Sequence, residues 1–508
     1  VEKQKSKDLV IVGGGAAGWL TALNVRRIAQ PLQKVIVIES EEIGILGAGE
    51  GSTPALVNFL IDVLKIPFVE FYKKCNVTFK LGINFVNWNG DDKNYFHSFC
   101  CGPQSKKLLQ NLNNNTPFIN NCEFYDNLRN SPFAYNNVTK EHDKMLPYAL
   151  HFDAHLLAEF LREQAIKRGV TRIEGKVTSI VDDERGYITS IGLESGQQVP
   201  CSFVFDCTGF KRLIIGKHFK SPWVSYAKHL PVKQALPFQL KIDPDNFNNC
   251  TDAIALKYGW MWKIPLRNRY GCGYVYDSDY INADQAKQEV EALLGHEVTS
   301  PRILNFSAGY YEKICIKNCM AIGLAAGFTE PIEATSVWIQ VIMIDRLTSH
   351  LSELYKDSQE ARDNFNYYFS KINNNILAGL QLHYYVNRND SPFWKEFRTK
   401  NTIVDTIADV IHRNKYIPLE EDSYLNSSMT NIGLPSWLML MEGQGILNKS
   451  FYPRRVEELA ALPEDNYNLL LKDGAHDPLI PTNIFTNTIS LDWKVNHYPV
   501  VHNAATLK

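Results

Sequence analysis

A short apolar run, Leu9-Val10-Ile11-Val12, leads directly into Gly13-Gly14-Gly15-Ala16-Ala17-Gly18 and then into Trp19-Leu20-Thr21-Ala22-Leu23, which has helical character. A G-x-G-x-x-G set between a buried strand and a helix narrows the possible folds more than any other stretch of the chain. The glycines allow a tight turn and let backbone N–H groups approach a pyrophosphate, whose charge the helix N-terminus favours. A second buried run, Val35-Ile36-Val37-Ile38, ends in Glu39. It lies about 20 residues past the last glycine, where a carboxylate can hold both hydroxyls of an unphosphorylated ribose. Gly13, Gly15, Ala16, Ala17, Gly18 and Glu39 are therefore the expected contacts of a dinucleotide, in a chain of α/β class.

The 508 residues leave room for one large domain with an elaborated substrate region, or for two or three domains sharing an interface. A formal net charge of −2 makes no electrostatic case for nucleic acid. The segment Val1 to Asp8 is charged where a secretory signal needs an apolar core, and no apolar run approaches the roughly 18 residues of a membrane span. A cytoplasmic protein with no membrane partner is expected. The 10 cysteines show neither C-x-x-C nor zinc-finger spacing, which points to reduced thiols and no structural metal. His151 and His155 have the i, i+4 spacing of a helical metal pair but no third ligand nearby, so no metal is expected there either.

Other stretches carry more than one reading. The glycine-rich loop from Gly47 to Pro54, with Gly49 and Glu50, is either a surface turn or a cover over the cofactor. Val77 to Phe85 alternates, placing Phe79, Leu81, Ile83 and Phe85 on one face and Lys80 on the other, where a lysine is ordinarily solvated. From Cys101 to Pro147 the chain is Asn-rich and without period, as in a loop-rich insertion. His151-Phe152-Asp153-Ala154-His155 opens an amphipathic helix reaching Lys167, and Phe203-Val204-Phe205-Asp206 is another buried strand ending in an acid. In Gly259-Trp260-Met261-Trp262-Lys263-Ile264-Pro265 the two tryptophans share one strand face, and Pro265 ends the ladder. That aromatic wall is ordinary core packing or part of an active site; Gly271 to Tyr276 is its expected hairpin partner. Cys319 to Gly327 is a strand and turn leading into Thr329-Glu330-Pro331-Ile332-Glu333-Ala334-Thr335-Ser336 and a helix from about Val337 to Leu351. Glu333 can simply complement a helix dipole, but the same backbone end can bind a small anion.

Taken together and in order, these motifs resemble the flavin-dependent halogenases of the tryptophan-halogenase type. The resemblance runs through Gly13 to Gly18, the Gly47 to Pro54 loop, Lys80 in F-K-x-x-I, His151 to Ala154, the W-x-W-x-I-P of Trp260 to Pro265, and Glu330 to Thr335. Of these, W-x-W-x-I-P is the specific element. The usual E-P-L-E-S-T is here E-P-I-E-A-T, so Ala334 removes a hydroxyl beside Glu333.

The resemblance implies a Rossmann-like FAD fold of the flavoprotein monooxygenase type with an added, largely helical substrate region. FAD would also be contacted by Gly49, Glu50, Asp206 and Gly327. Reduced FAD from a partner flavin reductase, with O2, would oxidise a halide held by Thr335 and Ser336 to hypohalous acid. Lys80 and Glu333 would then deliver the halogen to an electron-rich aromatic substrate, indole-like or phenolic, while Trp260 and Trp262 separate flavin from substrate. The expected division is residues 1–100 plus 148–345 as a discontinuous FAD-binding domain, 101–147 as an insertion on the substrate side, and 346–508 as a mainly helical substrate region. A flavin monooxygenase or reductase and a catalytically silent flavin-binding protein are the rivals.

Overall fold

The computed structural model describes residues 8–43, 50–99, 133–136, 141–145, 148–242, 247, 249–300, 302–419, 433–448 and 450. Gly49, most of the Asn-rich segment and the chain after 450 lie outside the described residues. Within that segment, Phe133–Asn136 and Glu141–Met145 pair as an antiparallel hairpin.

A six-stranded sheet runs in the order Thr171–Glu174, Val35–Glu39, Leu9–Val12, Phe203–Asp206, Cys319–Ala321, Cys315–Ile316. It is parallel except for the terminal pair. Leu9, Val10 and Ile11 are fully buried, because helices cover one face and a smaller sheet the other. Helix Ala16–Ile28 returns across the sheet and packs on helices Ala154–Lys167 and Thr335–Tyr355. Asn24 Nδ2 fixes the second contact by donating to Ile344 O at 2.7 Å.

A second, seven-stranded sheet runs Leu304–Asn305, Gln234–Leu240, Tyr270–Tyr276, Gly259–Pro265, Thr251–Leu256, Gly82–Val86, Asn94–Ser98. The tryptophan strand is thus central, hairpin-paired with Tyr270–Tyr276 as its sequence implied. Beyond it lie helices Gln359–Tyr384, Pro392–Lys400, Asp405–Arg413 and Leu434–Gly443. Among the described residues no helix is long and apolar enough to cross a membrane.

Three expectations change. Val77 to Phe85 is not one alternating strand: Thr78–Lys80 pairs with Ala149–Phe152 in a small three-stranded sheet that also holds Glu50–Gly51, whereas Gly82–Val86 belongs to the large sheet. Leu81, donating its N–H to Asn249 O, is the corner between them. His151 lies in the strand Ala149–Phe152 rather than on the helix, which begins at Ala154 with Asp153 as its cap. The i, i+4 histidine pair therefore never shares a helix face. Finally, the helix expected from about Val337 to Leu351 spans Thr335–Tyr355.

Candidate active site

The nucleotide end follows from steric demands on the glycines. Gly13 has φ +120°, and a Cβ there would lie 2.1 Å from the Cys207 carbonyl oxygen; one on Gly18 would lie 1.9 Å from Gly13 O. Gly15 differs, since its missing Cβ points into open space, and it precedes a helix with no side-chain cap and no acid in its first turn. The N–H groups of Ala16 and Ala17 are thus left for an anion, which is the cradle a pyrophosphate fits. Glu39 sits over Gly14, close enough that a Cβ there would collide with Glu39 Oε2. Its other oxygen accepts from Arg172 Nε at 2.5 Å and Arg162 Nη1 at 3.3 Å.

Asp206 plays a different part from the cofactor contact expected of it. One carboxylate oxygen accepts from the N–H and hydroxyl of Thr208, and the other from the N–H groups of Ile214 and Ile215. With both oxygens engaged and the residue fully buried, Asp206 shapes the turn that flanks the cradle. Gly327 allows close strand packing: a Cβ there would be 2.8 Å from the Tyr310 Cβ. Gly323 packs on Ala17 of the cradle helix, and a narrow cavity lined by Gly323, Gly327, Thr329, Ser336 and Gln340 continues from there to the start of helix Thr335–Tyr355. The hydroxyls of Thr329, Thr335 and Ser336 cluster at that start, with Thr329 Oγ1 2.8 Å from Thr335 Oγ1 and 3.1 Å from Ser336 Oγ. No side chain caps this helix.

Lys80 is 2 % exposed, which overturns its reading as a solvated residue. Among the described residues its ammonium finds one acceptor, Ser52 O at 3.2 Å, and lies 5.4 Å from the Phe99 ring centroid. Burial pushes its pKa down to about 8, against a partial pull upward from Glu333 and Cys250. Beside it, fully buried His151 is held in one tautomer. Thr78 Oγ1 donates to Pro265 O, so it must accept from His151 Nδ1–H, leaving Nε2 to accept from Thr251 Oγ1. Burial and the nearby Lys80 charge keep the His151 pKa well below the usual histidine range. On the same small sheet, burial pushes the half-buried Glu50 carboxyl up to about 7.

Glu333 precedes the helix with φ 63° and ψ 3°, and Ala334 follows with φ 53°, two left-handed non-glycine residues in succession. Burial alone would raise the Glu333 pKa, but His97 and His383 outweigh it and hold the carboxyl well below the usual carboxylate range. His97 Nδ1 lies 2.6 Å and His383 Nε2 3.0 Å from Glu333 Oε1. His383 Nδ1 in turn faces Gly379 O at 2.8 Å. Both histidines escaped the sequence reading, because strand Asn94–Ser98 and the end of helix Gln359–Tyr384 carry no local sign that they meet.

The tryptophan wall exists as inferred. The Trp260 and Trp262 ring centroids are 6.4 Å apart, and Trp262 lies over Gly273, where a Cβ would fall 2.2 Å from the indole. Trp260 Nε1 donates to the Tyr384 hydroxyl at 3.1 Å. Lys80 feels the Glu333 charge, and Glu333 and Trp260 are held by the consecutive helix residues His383 and Tyr384.

The family model described as tryptophan halogenase matches residues 8–461. The chain belongs to the tryptophan halogenase family. It is 30% identical to the tryptophan 7-halogenase RebH of Lentzea aerocolonigenes over 427 residues, covering 77% of this chain and 78% of that protein. The 7-chloro-L-tryptophan 6-halogenase KtzR of Kutzneria sp. (strain 744) is also 30% identical, with 79% and 84% covered. Among solved structures, BrvH, a flavin-dependent halogenase from Brevundimonas sp. BAL3, superposes with a TM-score of 0.77 at 27% identity, covering 91% of this chain and 98% of that one. The chain is accordingly a flavin-dependent halogenase that uses reduced flavin and O2 to halogenate an aromatic compound and draws on a separate flavin reductase. The monooxygenase rival is not favoured.

Proposed function

We propose that this halogenase oxidises a bound halide to hypohalous acid at the flavin and uses Lys80 and Glu333 to place the halogen on an indole-like or phenolic ring beyond the tryptophan wall. FAD fits the open cradle at Gly15, Ala16 and Ala17, with Gly13 and Gly18 setting the turn, Glu39 at the ribose, and Glu50 and Gly327 nearer the ring; reduced, it supplies the two-electron chemistry with O2. The uncapped N–H groups of Thr335 and Ser336 hold the halide. In domain terms, residues 1–100 and 148–345 carry the cradle and the halide site, and the helices after 346 close over the substrate.

The observation that carries this reading is a buried amine with one acceptor among the described residues, Ser52 O, and a pKa of about 8. Such a group exchanges its proton near neutrality, so it can hold the halogen in either of two forms. As the ammonium it hydrogen-bonds the oxygen of hypohalous acid and polarises it. As the free amine it forms an N–X bond while the X–O bond breaks, and the released hydroxide leaves as water with the amine proton. Ring attack then makes C–X as X–O or N–X breaks; the ring proton goes to Glu333, which His97 and His383 keep anionic, and the leaving group is neutralised by one proton, given to hydroxide by the Lys80 ammonium or returned from Glu333 to the amine nitrogen. Trp260 and Trp262 stand between the two chemistries and keep the ring from the flavin.

The test is Lys80→Ala, with halogenated product, free hypohalous acid trapped by a dye, and FAD affinity measured in the same preparation. Product is expected to vanish while halide-dependent oxidant formation and FAD binding persist. Regioselective halogenation at near wild-type rate would remove Lys80 from the mechanism.

A further inference from the structure

Two neighbouring residues at the end of helix Gln359–Tyr384 each hold one glutamate of the same loop. His383 Nε2 meets Glu333, and the Tyr384 hydroxyl donates to Glu330 Oε2 at 2.8 Å while accepting from Trp260 Nε1 at 3.1 Å. Glu330 thus ends a chain of hydrogen bonds that starts at the tryptophan wall. It is 0% exposed, no cation pairs with it among the described residues, and its Oε1 has no partner among them. A carboxylate with one neutral donor and no counter-charge is a poor occupant of such a place, whereas a carboxylic acid is a tolerable one. Burial accordingly pushes its pKa up to about 8. The loop it anchors carries the left-handed pair Glu333 and Ala334, a conformation that persists only when its surroundings dictate it.

We propose that Glu330 is a positioning residue of the halogenation reaction: as the neutral acid it clamps Trp260 through the Tyr384 hydroxyl and so registers the wall against the loop that carries Glu333. The proposal rests on the reading of Trp260 and Trp262 as the partition between flavin and substrate. The titratable group touching Glu330 is Tyr384, from the helix. Tyr384 also faces Asp277, which is paired with Lys233 and Lys400, and along the loop Glu333 is paired with His97 and His383. None of these presents a free positive charge to Glu330.

Two measurements test the clamp. Tyr384→Phe keeps the ring but removes both hydrogen bonds, and is expected to lower halogenated product per reoxidised flavin several-fold while free hypohalous acid rises. Glu330→Ala should do the same, and Glu330→Gln, which still offers a neutral acceptor to Tyr384, should recover most of the loss. Unchanged coupling in Tyr384→Phe, or a Gln variant as impaired as Ala, overturns the positioning role. Trp260→Ala in the same assay shows whether the partition reading falls with it. The second measurement needs no turnover. An acid whose folded-state pKa is about 8, against 4.5 unfolded, makes the wild type lose stability as pH rises from about 4.5 to 8, and no further above that. Glu330→Gln lacks that slope, so its melting temperature relative to wild type should climb through this window and then level off. A difference that stays flat or falls with pH shows an ionised Glu330 and overturns the neutral clamp.

Discussion

Replacing Lys80 with methionine should abolish halogenation and yet make the protein more stable at neutral pH. Methionine nearly matches the length and volume of the lysine stem, so repacking costs less than about 1.5 kcal/mol. What it removes is the expense of an ammonium that is 2 % exposed and has one acceptor among the described residues. A fall from 10.5 to about 8 corresponds, at about 1.4 kcal/mol per unit, to roughly 3 kcal/mol against folding while the amine is protonated. Glu333 already offsets part of the burial within that figure. The direction with pH follows from the depressed folded-state value. The penalty is complete below about pH 8, shrinks as the unfolded chain loses its proton between about 8 and 10.5, and is absent above 10.5.

Urea unfolding of the flavin-free protein, without halide so that the thioether is not oxidised, reads this directly. At neutral pH the Lys80→Met midpoint should lie above wild type by the equivalent of about 2 kcal/mol, and the two curves should converge as pH approaches 10.5. A variant less stable than wild type at neutral pH, with a gap indifferent to pH, would show that Lys80 is well solvated or well paired. The argument for a reactive amine would then lose its physical basis.

Three further outcomes follow from the geometry. Glu39→Ala removes the charge-assisted bonds proposed to the ribose, worth roughly 1.5–3 kcal/mol, so FAD affinity by titration should fall about tenfold or more, with the fold kept because Arg172 retains Glu41 and Glu174. Asp206→Asn turns an NH2 toward N–H donors of Thr208 or of Ile214 and Ile215, and calorimetry should show a loss of about 2–3 kcal/mol with weaker FAD retention. Gly273→Ala drives a methyl into the Trp262 indole, where the open space is 2.2 Å. Its expected result is displaced indole, seen in the near-ultraviolet circular dichroism, and more hypohalous acid lost per product formed.

Much of the fold was legible because its determinants are local. The turn at Gly13 to Gly18, the buried strands ending in Glu39 and Asp206, and the paired tryptophans each follow from sterics or periodicity within a few residues. The alternation of Val77 to Phe85 misled for a physical reason. A corner at Leu81 hands the chain from one sheet to another, so both faces of Thr78–Lys80 are covered and Lys80 is buried although its neighbours predict exposure. The partners of Glu333 were beyond reach for a different reason: His97 lies 236 residues away and His383 50 away. Nothing in either local pattern records a meeting over such distances. Glu330 was visible only as part of a motif, since its burial without a counter-charge among the described residues is a property of the packed site.

The nucleotide cradle and the surroundings of the tryptophan wall are built on opposite principles. At the nucleotide end the side chains are satisfied and the backbone is left open: Asp206 has four donors, Glu39 has two arginines, Gly13 and Gly18 stand where a Cβ would collide, and the N–H groups of Ala16 and Ala17 await an anion. That end needs no change on binding, which suits a cofactor that must come and go in reduced and oxidised forms. Around the tryptophan wall the costs accumulate, with, among the described residues, a buried amine that has one acceptor and a carboxyl that has one oxygen without a partner, and with two successive left-handed residues at Glu333 and Ala334. Stability alone would remove each of these. The loop of Glu330 and Glu333 is tied to the wall by the consecutive residues His383 and Tyr384, and Lys80 feels the Glu333 charge, which brings together what an oxidant-handling site requires: an amine able to react, an anion to take a proton, and a wall held in place.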